Sequence, residues 1–109
     1  MERFEIARPD DWHVHLRDGA MLARVLPFTA RRFRRAIVMP NLDPPILTTR
    51  DAEAYAARIR QQLPAESDFE PLMTLYLTES TTPAEIERAN RSRDVAAVKP
   101  RYPDGIFFR

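Results

Sequence analysis

The stretch best equipped for chemistry is a pair of histidines one residue apart, His13 and His15, followed by Arg17. Side chains alternate between the two faces of a β-strand, so these three are predicted to share one face, with Val14 and Leu16 on the other. Two imidazoles on one strand face can bind the same metal ion, and a guanidinium two residues further on can hold an anionic substrate beside it. The stretch therefore predicts half of a metal site with a substrate-binding cation attached.

A motif of two histidines also has a structural interpretation. Such pairs arise often by chance, and histidines on strands are commonly half-buried and simply hydrogen-bonded. The sequence contains no other histidine and no cysteine, so histidine ligands can come only from this pair. Asp18-Gly19 supplies the turn chemistry that ends the strand.

Composition excludes several classes of partner. The sequence of 109 residues suits one domain or part of one. Its 17 Lys and Arg against 16 Asp and Glu give a net charge of +1, so neither nucleic acid nor a membrane surface is predicted as a partner. The one basic cluster, 31–35, favours a solvated helix end over an RNA contact. With no membrane-length apolar run, no signal-like start and no cysteine, a cytoplasmic location is expected.

Apolar periodicity predicts strands and helices in alternation. Pro27 is expected to kink or restart the first helix, with Phe28 and Phe33 continuing its apolar face. The predicted strands are a short edge strand at 4–7, the histidine strand, and apolar strands at 36–39, 71–77 and 95–99. The predicted helices start near Met21, at the Thr48-Thr49 cap and at Thr82-Pro83-Ala84-Glu85.

This alternation predicts an α/β fold with a parallel sheet, either doubly wound or a (β/α)8 barrel. The polar candidates lie at the carboxyl ends of strands, the rim that carries the active site in a barrel. Taken singly, Asn41 is a turn residue and Lys99 a solvent-facing strand end. Their position on the same rim as His13, His15 and Arg17 is what indicates function.

The motif His-x-His-x-Arg-Asp-Gly followed by Met-Pro-Asn is specific in combination. With these residues, the sequence resembles the dihydroorotases of the bacterial single-function type, members of the amidohydrolase superfamily. The segments that carry the resemblance are 8–19, 35–42, 69–78, 81–83 and 98–99, and they are spread over nearly all of residues 1–99. The resemblance implies a partial (β/α)8 TIM barrel containing about the first four βα units.

The resemblance also implies an activity, the reversible cyclisation of N-carbamoyl-L-aspartate to dihydroorotate in de novo pyrimidine (UMP) biosynthesis. The complete active site of the family holds two zinc ions. By position, His13 and His15 would ligate the more buried zinc, and Lys99, as N6-carboxylysine, would bridge both. Arg17 and Asn41 would hold the substrate carboxylate. The full-length family member is expected to be a homodimer.

The sequence departs from the family in two ways. The remaining zinc-binding histidines and the aspartate that acts as general acid and base lie on later strands, so no catalytic residue is assigned here. Lys99 is followed by Pro100-Arg101 rather than Leu-Tyr-Pro, which divides the chain into a barrel portion, 1–99, and a divergent tail, 100–109. A truncated gene, a frameshift or a partial gene model is the expected cause. Alone, the chain is expected to bind zinc weakly at most, to lack turnover and to self-associate through open sheet edges.

Two other functions stay open at this point. One is another cyclic-amide amidohydrolase of the hydantoinase kind, although Arg17-Asp18-Gly19 with Met39-Pro40-Asn41 favours an acidic substrate. The other is a non-catalytic fragment or assembly partner, whose role would survive substitution of His13 or His15.

Overall fold

The computed structural model describes residues 8–100 and, for the backbone, residues 106–107. The edge strand expected at 4–7 lies outside the described residues. Five strands and three helices follow one another as β1 (Asp10–Val14), α1 (Gly19–Arg32), β2 (Arg35–Val38), α2 (Thr49–Gln62), β3 (Glu70–Tyr76), α3 (Pro83–Arg91), β4 (Val95–Lys99) and β5 (Ile106–Phe107).

The strands form one sheet in the order β1-β2-β3-β4-β5. The first three pairings, β1 to β2, β2 to β3 and β3 to β4, are parallel. Because parallel crossovers are right-handed, a sheet in sequential order carries its helices on one face, as a barrel does and a doubly wound sheet does not. The predicted α/β fold with barrel-type order is confirmed.

Helix starts follow the caps expected from sequence. Thr48 Oγ1 accepts from the amide of Asp51 at 3.1 Å, and Thr82 Oγ1 accepts from the amide of Glu85 at 3.1 Å. Each hydroxyl thus satisfies one of the amides that a helix leaves without an internal partner. The Glu85 carboxylate turns away from its own helix start and accepts from Thr49 at the start of α2, at 2.8 Å to Oγ1.

The apolar core lies where the helices meet the sheet. Leu22 and Leu26 of α1 and Ile59 of α2 are buried. The strands contribute Val38, Met73, Leu75, Val95 and Val98, all fully buried. The near-continuous burial of β2 and β4 is typical of parallel strands covered on both sides.

Pro27 does not restart a helix, because α1 continues through it from Gly19 to Arg32. The expectation that Phe28 continues the apolar face of α1 is wrong. Phe28 is 59 % exposed instead of facing the core, and Arg31 lies over its ring at 5.7 Å. The buried face of α1 is Leu22, Leu26 and Thr29, at spacings of four and three, which leaves the position of Phe28 on the solvent side.

Two arginines of the basic cluster, Arg34 and Arg35, contact acidic residues near the amino ends of the strands. Arg35 donates to both carboxylate oxygens of Asp10, at 3.2 and 2.6 Å, and lowers the pKa of Asp10. Arg34 contacts Asp68, while Arg31 and Arg32 are exposed in the last turn of α1. The cluster therefore joins element ends, and its exposed arginines lie where a helix dipole favours positive charge.

Residues 106–107 form a strand that the sequence did not indicate. β5 runs antiparallel to β4, with Ala97 opposite Phe107 and Val98 opposite Ile106. Over residues 8–100 and 106–107, no helix is long and apolar enough to cross a membrane.

Candidate functional site

The two histidines converge at the carboxyl end of β1. Leu16 is fully buried and fixes the chain just after the strand, and the His13 amide donates to Asp11 Oδ1 at 3.0 Å. The Nε2 atoms of His13 and His15 lie 3.2 Å apart, with the two rings inclined at 64°. A tetrahedral zinc ion with bonds of about 2.0–2.1 Å would separate two ligand nitrogens by about 3.3 Å. The spacing fits one shared metal ion.

The surroundings of His15 favour its neutral form. Partial burial lowers the pKa of His15 most, and Coulomb interactions with His13, Arg17 and Lys99 lower it further. Because only the neutral ring can ligate a metal, the lowered pKa favours the metal-binding form.

Lys99 lies at the same carboxyl-terminal edge of the sheet as the histidines, but on β4, three strands away from β1. It is the last residue of β4, and its Nζ lies 3.3 Å from Met39 Sδ. The amide of Met39 in turn donates to the carbonyl of Val14, at 2.8 Å, immediately before His15. The ends of β1, β2 and β4 are thus linked through Met39, which ends the predicted strand 36–39 and begins the Met-Pro-Asn motif.

Arg17 departs from the strand geometry expected for it. The β1 ladder ends at Val14, opposite Val38, and Arg17 has φ of 61°, in the left-handed region that costs an L-residue about 1–2 kcal/mol. Arg17 is therefore a loop residue and does not continue the alternation of the histidines. The Tyr55 hydroxyl donates to the carbonyl of Arg17.

Helix α2 supports the next residue as well. Arg58 donates to both oxygens of Asp18, at 3.1 and 2.9 Å, and its guanidinium lies 5.3 Å above the Tyr55 ring. Burial raises the pKa of the Tyr55 hydroxyl, with a further contribution from Asp18, so the hydroxyl keeps its proton and donates. The helical spacing of Ala52, Tyr55, Ala56 and Ile59 explains why the Tyr55 ring is buried, but it does not indicate the partner of the hydroxyl.

Arg17 and Asn41 line one pocket of about 730 Å³. The pocket lies between the loops that follow β1 and β2 and the exposed face of α2, and Asp18 and Arg58 also line it. Neither histidine nor Lys99 lines the pocket. The structure thus pairs His13 with His15 and brings Arg17 and Asn41 together in the pocket, while Lys99 contacts Met39.

Tyr76 is a residue of the rim that sequence analysis missed. It ends β3, opposite Lys99 in the β3–β4 register, and its hydroxyl accepts from Asn41 Nδ2. With Nδ2 so engaged, the Asn41 amide has a fixed orientation. The position of Tyr76 at a strand's carboxyl end was the available signal, because the same argument selected Asn41 and Lys99.

The donor set is incomplete for a metal centre of the family's kind. Within the described part of the chain, no group of three or more His, Asp, Glu or Cys side chains could hold a metal ion. Zinc takes four ligands in most protein sites. The two imidazoles, with Lys99 if carbamylated, supply part of such a set.

No protein-family model matches the chain. Among curated proteins, the dihydroorotase of Synechocystis sp. is 60 % identical over 105 residues, which is 96 % of this chain and 30 % of that protein. The dihydroorotase of Methylobacillus flagellatus is 64 % identical over 100 residues, 92 % of this chain and 29 % of that protein.

Solved structures give the same result. The dihydroorotase of Campylobacter jejuni superposes with a TM-score of 0.75 at 35 % identity, over 84 % of this chain and 26 % of that one. The Saccharomyces cerevisiae dihydroorotase, in a structure with 5-fluoroorotic acid, superposes with a TM-score of 0.76 at 35 % identity. The superposition covers 88 % of this chain and 26 % of that one. The chain is dihydroorotase-like in sequence and in fold.

This dihydroorotase-like chain spans about 30 % of the length of the curated relatives it matches. The alignments of 105 residues extend over all but a few of its 109 positions. The division into a barrel portion, 1–99, and a tail, 100–109, stays a prediction, as do the roles of the individual site residues.

Proposed function

We propose that this chain carries one part of a dihydroorotase active site, the part that holds a metal ion and the carboxylate of the substrate. The observation that carries the proposal is the convergence of His13 and His15, whose Nε2 atoms lie 3.2 Å apart, with Arg17 two residues further along the chain. The reaction is the reversible cyclisation of N-carbamoyl-L-aspartate to dihydroorotate.

In this proposal His13 and His15 ligate zinc through Nε2. Zinc supplies a Lewis acid that polarises the ring amide carbonyl and activates water. Lys99 as an ammonium cannot ligate a metal, but its free amine can add to carbon dioxide and release one proton. The product, an anionic carbamate, offers two oxygens at the end of a long arm. Lys99 Nζ lies 3.3 Å from the sulfur of Met39.

Arg17 and Asn41 hold the substrate carboxylate in the shared pocket. A guanidinium binds a carboxylate through two parallel hydrogen bonds, which fixes the ring relative to the metal. Asn41 Nδ2 has two N–H bonds, so one can donate to the substrate carboxylate while the other donates to the Tyr76 hydroxyl. An anionic substrate suits a pocket that contains Arg17, and this favours dihydroorotate over an uncharged hydantoin.

Turnover is not expected of the 109 residues alone, because two imidazoles and one carbamate cannot complete two zinc coordination shells. The general acid and base is likewise expected in the part of the relatives that this chain does not span. Homodimerisation and a cytoplasmic location, expected from the resemblance and from composition, stay predictions.

The test uses two features of the composition, a single lysine and only two histidines. The 109-residue chain is titrated with zinc while the imidazole nitrogens of His13 and His15 are followed by NMR. Both Nε2 resonances are expected to shift along the same binding curve, and His13→Ala is expected to abolish the response of His15. Independent responses, or none, would contradict a shared metal ion.

Carbamylation is tested separately with ¹³C-labelled bicarbonate. A carbamate signal that disappears in Lys99→Arg, and that strengthens when zinc is present, is the expected result. A signal that persists unchanged in Lys99→Arg belongs to the α-amine and would remove Lys99 from the proposal.

Activity is tested in a chimera in which residues 1–99 replace the matching segment of the Synechocystis dihydroorotase. The chimera is expected to hydrolyse dihydroorotate, and Arg17→Met in it is expected to raise KM for dihydroorotate. A chimera that folds and binds zinc yet has no activity would overturn the assigned reaction.

A further inference from the structure

Helix α2 contacts the loop after β1 at two consecutive residues. The hydroxyl of Tyr55 donates to the carbonyl of Arg17, and Arg58 forms two hydrogen bonds to the carboxylate of Asp18. Tyr55 and Arg58 lie three positions apart, nearly one helical turn, so both side chains leave α2 on neighbouring lines of the same face. The two contacts are independent, one through the backbone and one through a side chain.

The loop needs such support because of its backbone conformation. Arg17 has φ of 61° and Gly19 has φ of 56°, so two of three consecutive residues are left-handed. An arginine adopts this conformation only where its surroundings hold it there. The conformation decides where the guanidinium of Arg17 points, and Arg17 lines the pocket together with Asn41 and Arg58.

The Tyr55 side chain is held by the core with its hydroxyl directed at the Arg17 carbonyl. The residue is 1 % exposed, and its ring packs in the core beneath the Arg58 guanidinium, at 5.3 Å. A buried phenol needs a partner for its hydroxyl, and here the partner is a carbonyl of the loop rather than of a neighbouring helix. The Arg58 guanidinium stacks on the Tyr55 ring and donates to both oxygens of Asp18, and the two contacts together fix its orientation.

We propose that Tyr55 and Arg58 are positioning residues that hold the Arg17 loop in its left-handed conformation and thereby aim the Arg17 guanidinium at the substrate carboxylate. This inference rests on the proposed function for the identity of the ligand. Neither residue touches the reacting atoms. Tyr55 acts through the Arg17 carbonyl, and Arg58 acts through Asp18.

The test separates the loop conformation from ligand binding. In the unliganded 109-residue chain, the one-bond Cα–Hα coupling of Arg17 reports the sign of its φ. Tyr55→Phe and Arg58→Gln are each expected to move that coupling toward the value for negative φ, and to change the amide resonances of Arg17 and Asp18. An unchanged coupling in both variants would overturn the positioning role, whatever the chain binds.

Two control variants on α2 remove the same kinds of group, a buried hydroxyl and a paired guanidinium, at positions that do not contact the Arg17 loop. Thr49→Val removes a buried hydroxyl that donates to Glu85, and Arg60→Gln removes an arginine paired with Asp94 at 2.7 Å. Both controls are expected to lower stability without moving the Arg17 coupling. If they move it as much as Tyr55→Phe does, the effect is general loosening of α2, and the proposal fails.

Ligand binding is measured with dihydroorotate in the presence of zinc. Tyr55→Phe is expected to weaken binding about fivefold, the usual effect of losing one hydrogen bond. Arg58→Lys, which keeps the charge but loses the paired hydrogen bonds, is expected to weaken binding nearly as much as Arg58→Gln. Full rescue by Arg58→Lys would assign Arg58 an electrostatic role instead. Absence of dihydroorotate binding in the unsubstituted chain would count against the proposed function, while the coupling measurement still decides the positioning role.

Discussion

At the scale of single residues, the loop after β1 combines function with backbone strain. Arg17 and Gly19 both have positive φ, although only glycine adopts it without cost. A Cβ at Gly19 would meet no atom within 4 Å, so the side chain itself has room. Any cost of substitution there comes from the backbone alone.

Gly19→Ala is expected to lower the free energy of unfolding by about 1–2 kcal/mol, the cost of a left-handed alanine. Gly19→Asn is the matched control, because asparagine tolerates this conformation, and it is expected to cost clearly less. Urea denaturation of the three proteins measures both values. Equal stability of the alanine and asparagine variants would mean that the backbone relaxes to negative φ.

At the scale of elements, α1 contains a proline that does not end it. Pro27 is exposed, and it lies nine residues into a helix of 14. Its ring removes one internal hydrogen bond, the one that would reach the carbonyl of Ala23. The helix persists because Leu22, Leu26 and Thr29 are buried on both sides of the proline. Packing therefore decides the continuity of α1 against local propensity.

Pro27→Ala is expected to stabilise the protein by about 1–3 kcal/mol, since it restores a helical amide in place of the least favourable helix residue. Pro45→Ala serves as the control, because Pro45 is exposed in a loop, where the same change is expected to stabilise nothing. Thermal and urea unfolding of both variants supply the comparison. A loss of stability in Pro27→Ala would show that the proline contributes through the unfolded chain.

Helices α2 and α3 are joined by the carboxylate of Glu85. Arg88 lowers its pKa most, and hydrogen bonds from Thr49 lower it further, against the opposing effect of burial. A carboxyl whose pKa is depressed in the folded state stabilises the fold above its unfolded pKa, near 4.5, and loses that contribution as the pH falls through the folded value.

Glu85→Gln is accordingly expected to cost about 1 kcal/mol at pH 7, where the carboxylate accepts from Thr49 and Arg88. Below pH 4 the difference between the two proteins is expected to shrink, because protonation removes the same charge from the unsubstituted chain. Glu87→Gln is the control, since Glu87 pairs only with Arg91 on an exposed helix face. A difference that stays constant from pH 7 to pH 3 would contradict this account.

At the scale of the whole molecule, β1 has β2 as its one partner among the described strands. Trp12 on this strand is 64 % exposed. Edge strands with exposed apolar side chains favour pairing with other chains, and a lysine on the edge opposes it. The 109-residue chain is therefore expected to self-associate.

Sedimentation velocity at several protein concentrations tests the self-association. Trp12→Lys is expected to shift the distribution toward monomer, whereas Phe28→Lys is expected to have little effect. Phe28 is similarly exposed, at 59 %, but it lies on α1 and away from any strand edge. A monomeric unsubstituted chain, or equal effects of the two lysines, would show that the β1 edge is not the contact.

Much of the fold was predictable because local signals and burial agree. The caps at Thr48 and Thr82, the apolar runs of β2 and β4 and the alternation around His13 each point to the element observed. The predictions failed at Phe28 and missed β5. Helical spacing does not fix which side of a broad apolar stripe meets the sheet, and β5 depends on pairing with a strand distant in sequence.

The sequence by itself determined the order of strands and helices, because apolar periodicity and helix caps are local signals. The spacing of the histidines predicted that they would meet, although His15 follows the last residue of β1 instead of lying on the strand. Only the tertiary structure decided how Arg17 and Asn41 are held. Their supports, Tyr55 and Tyr76, lie 38 and 35 residues away along the chain. Apolar periodicity does not reveal a hydrogen bond made by a tyrosine hydroxyl, because the tyrosine ring follows the same pattern of burial as other apolar residues.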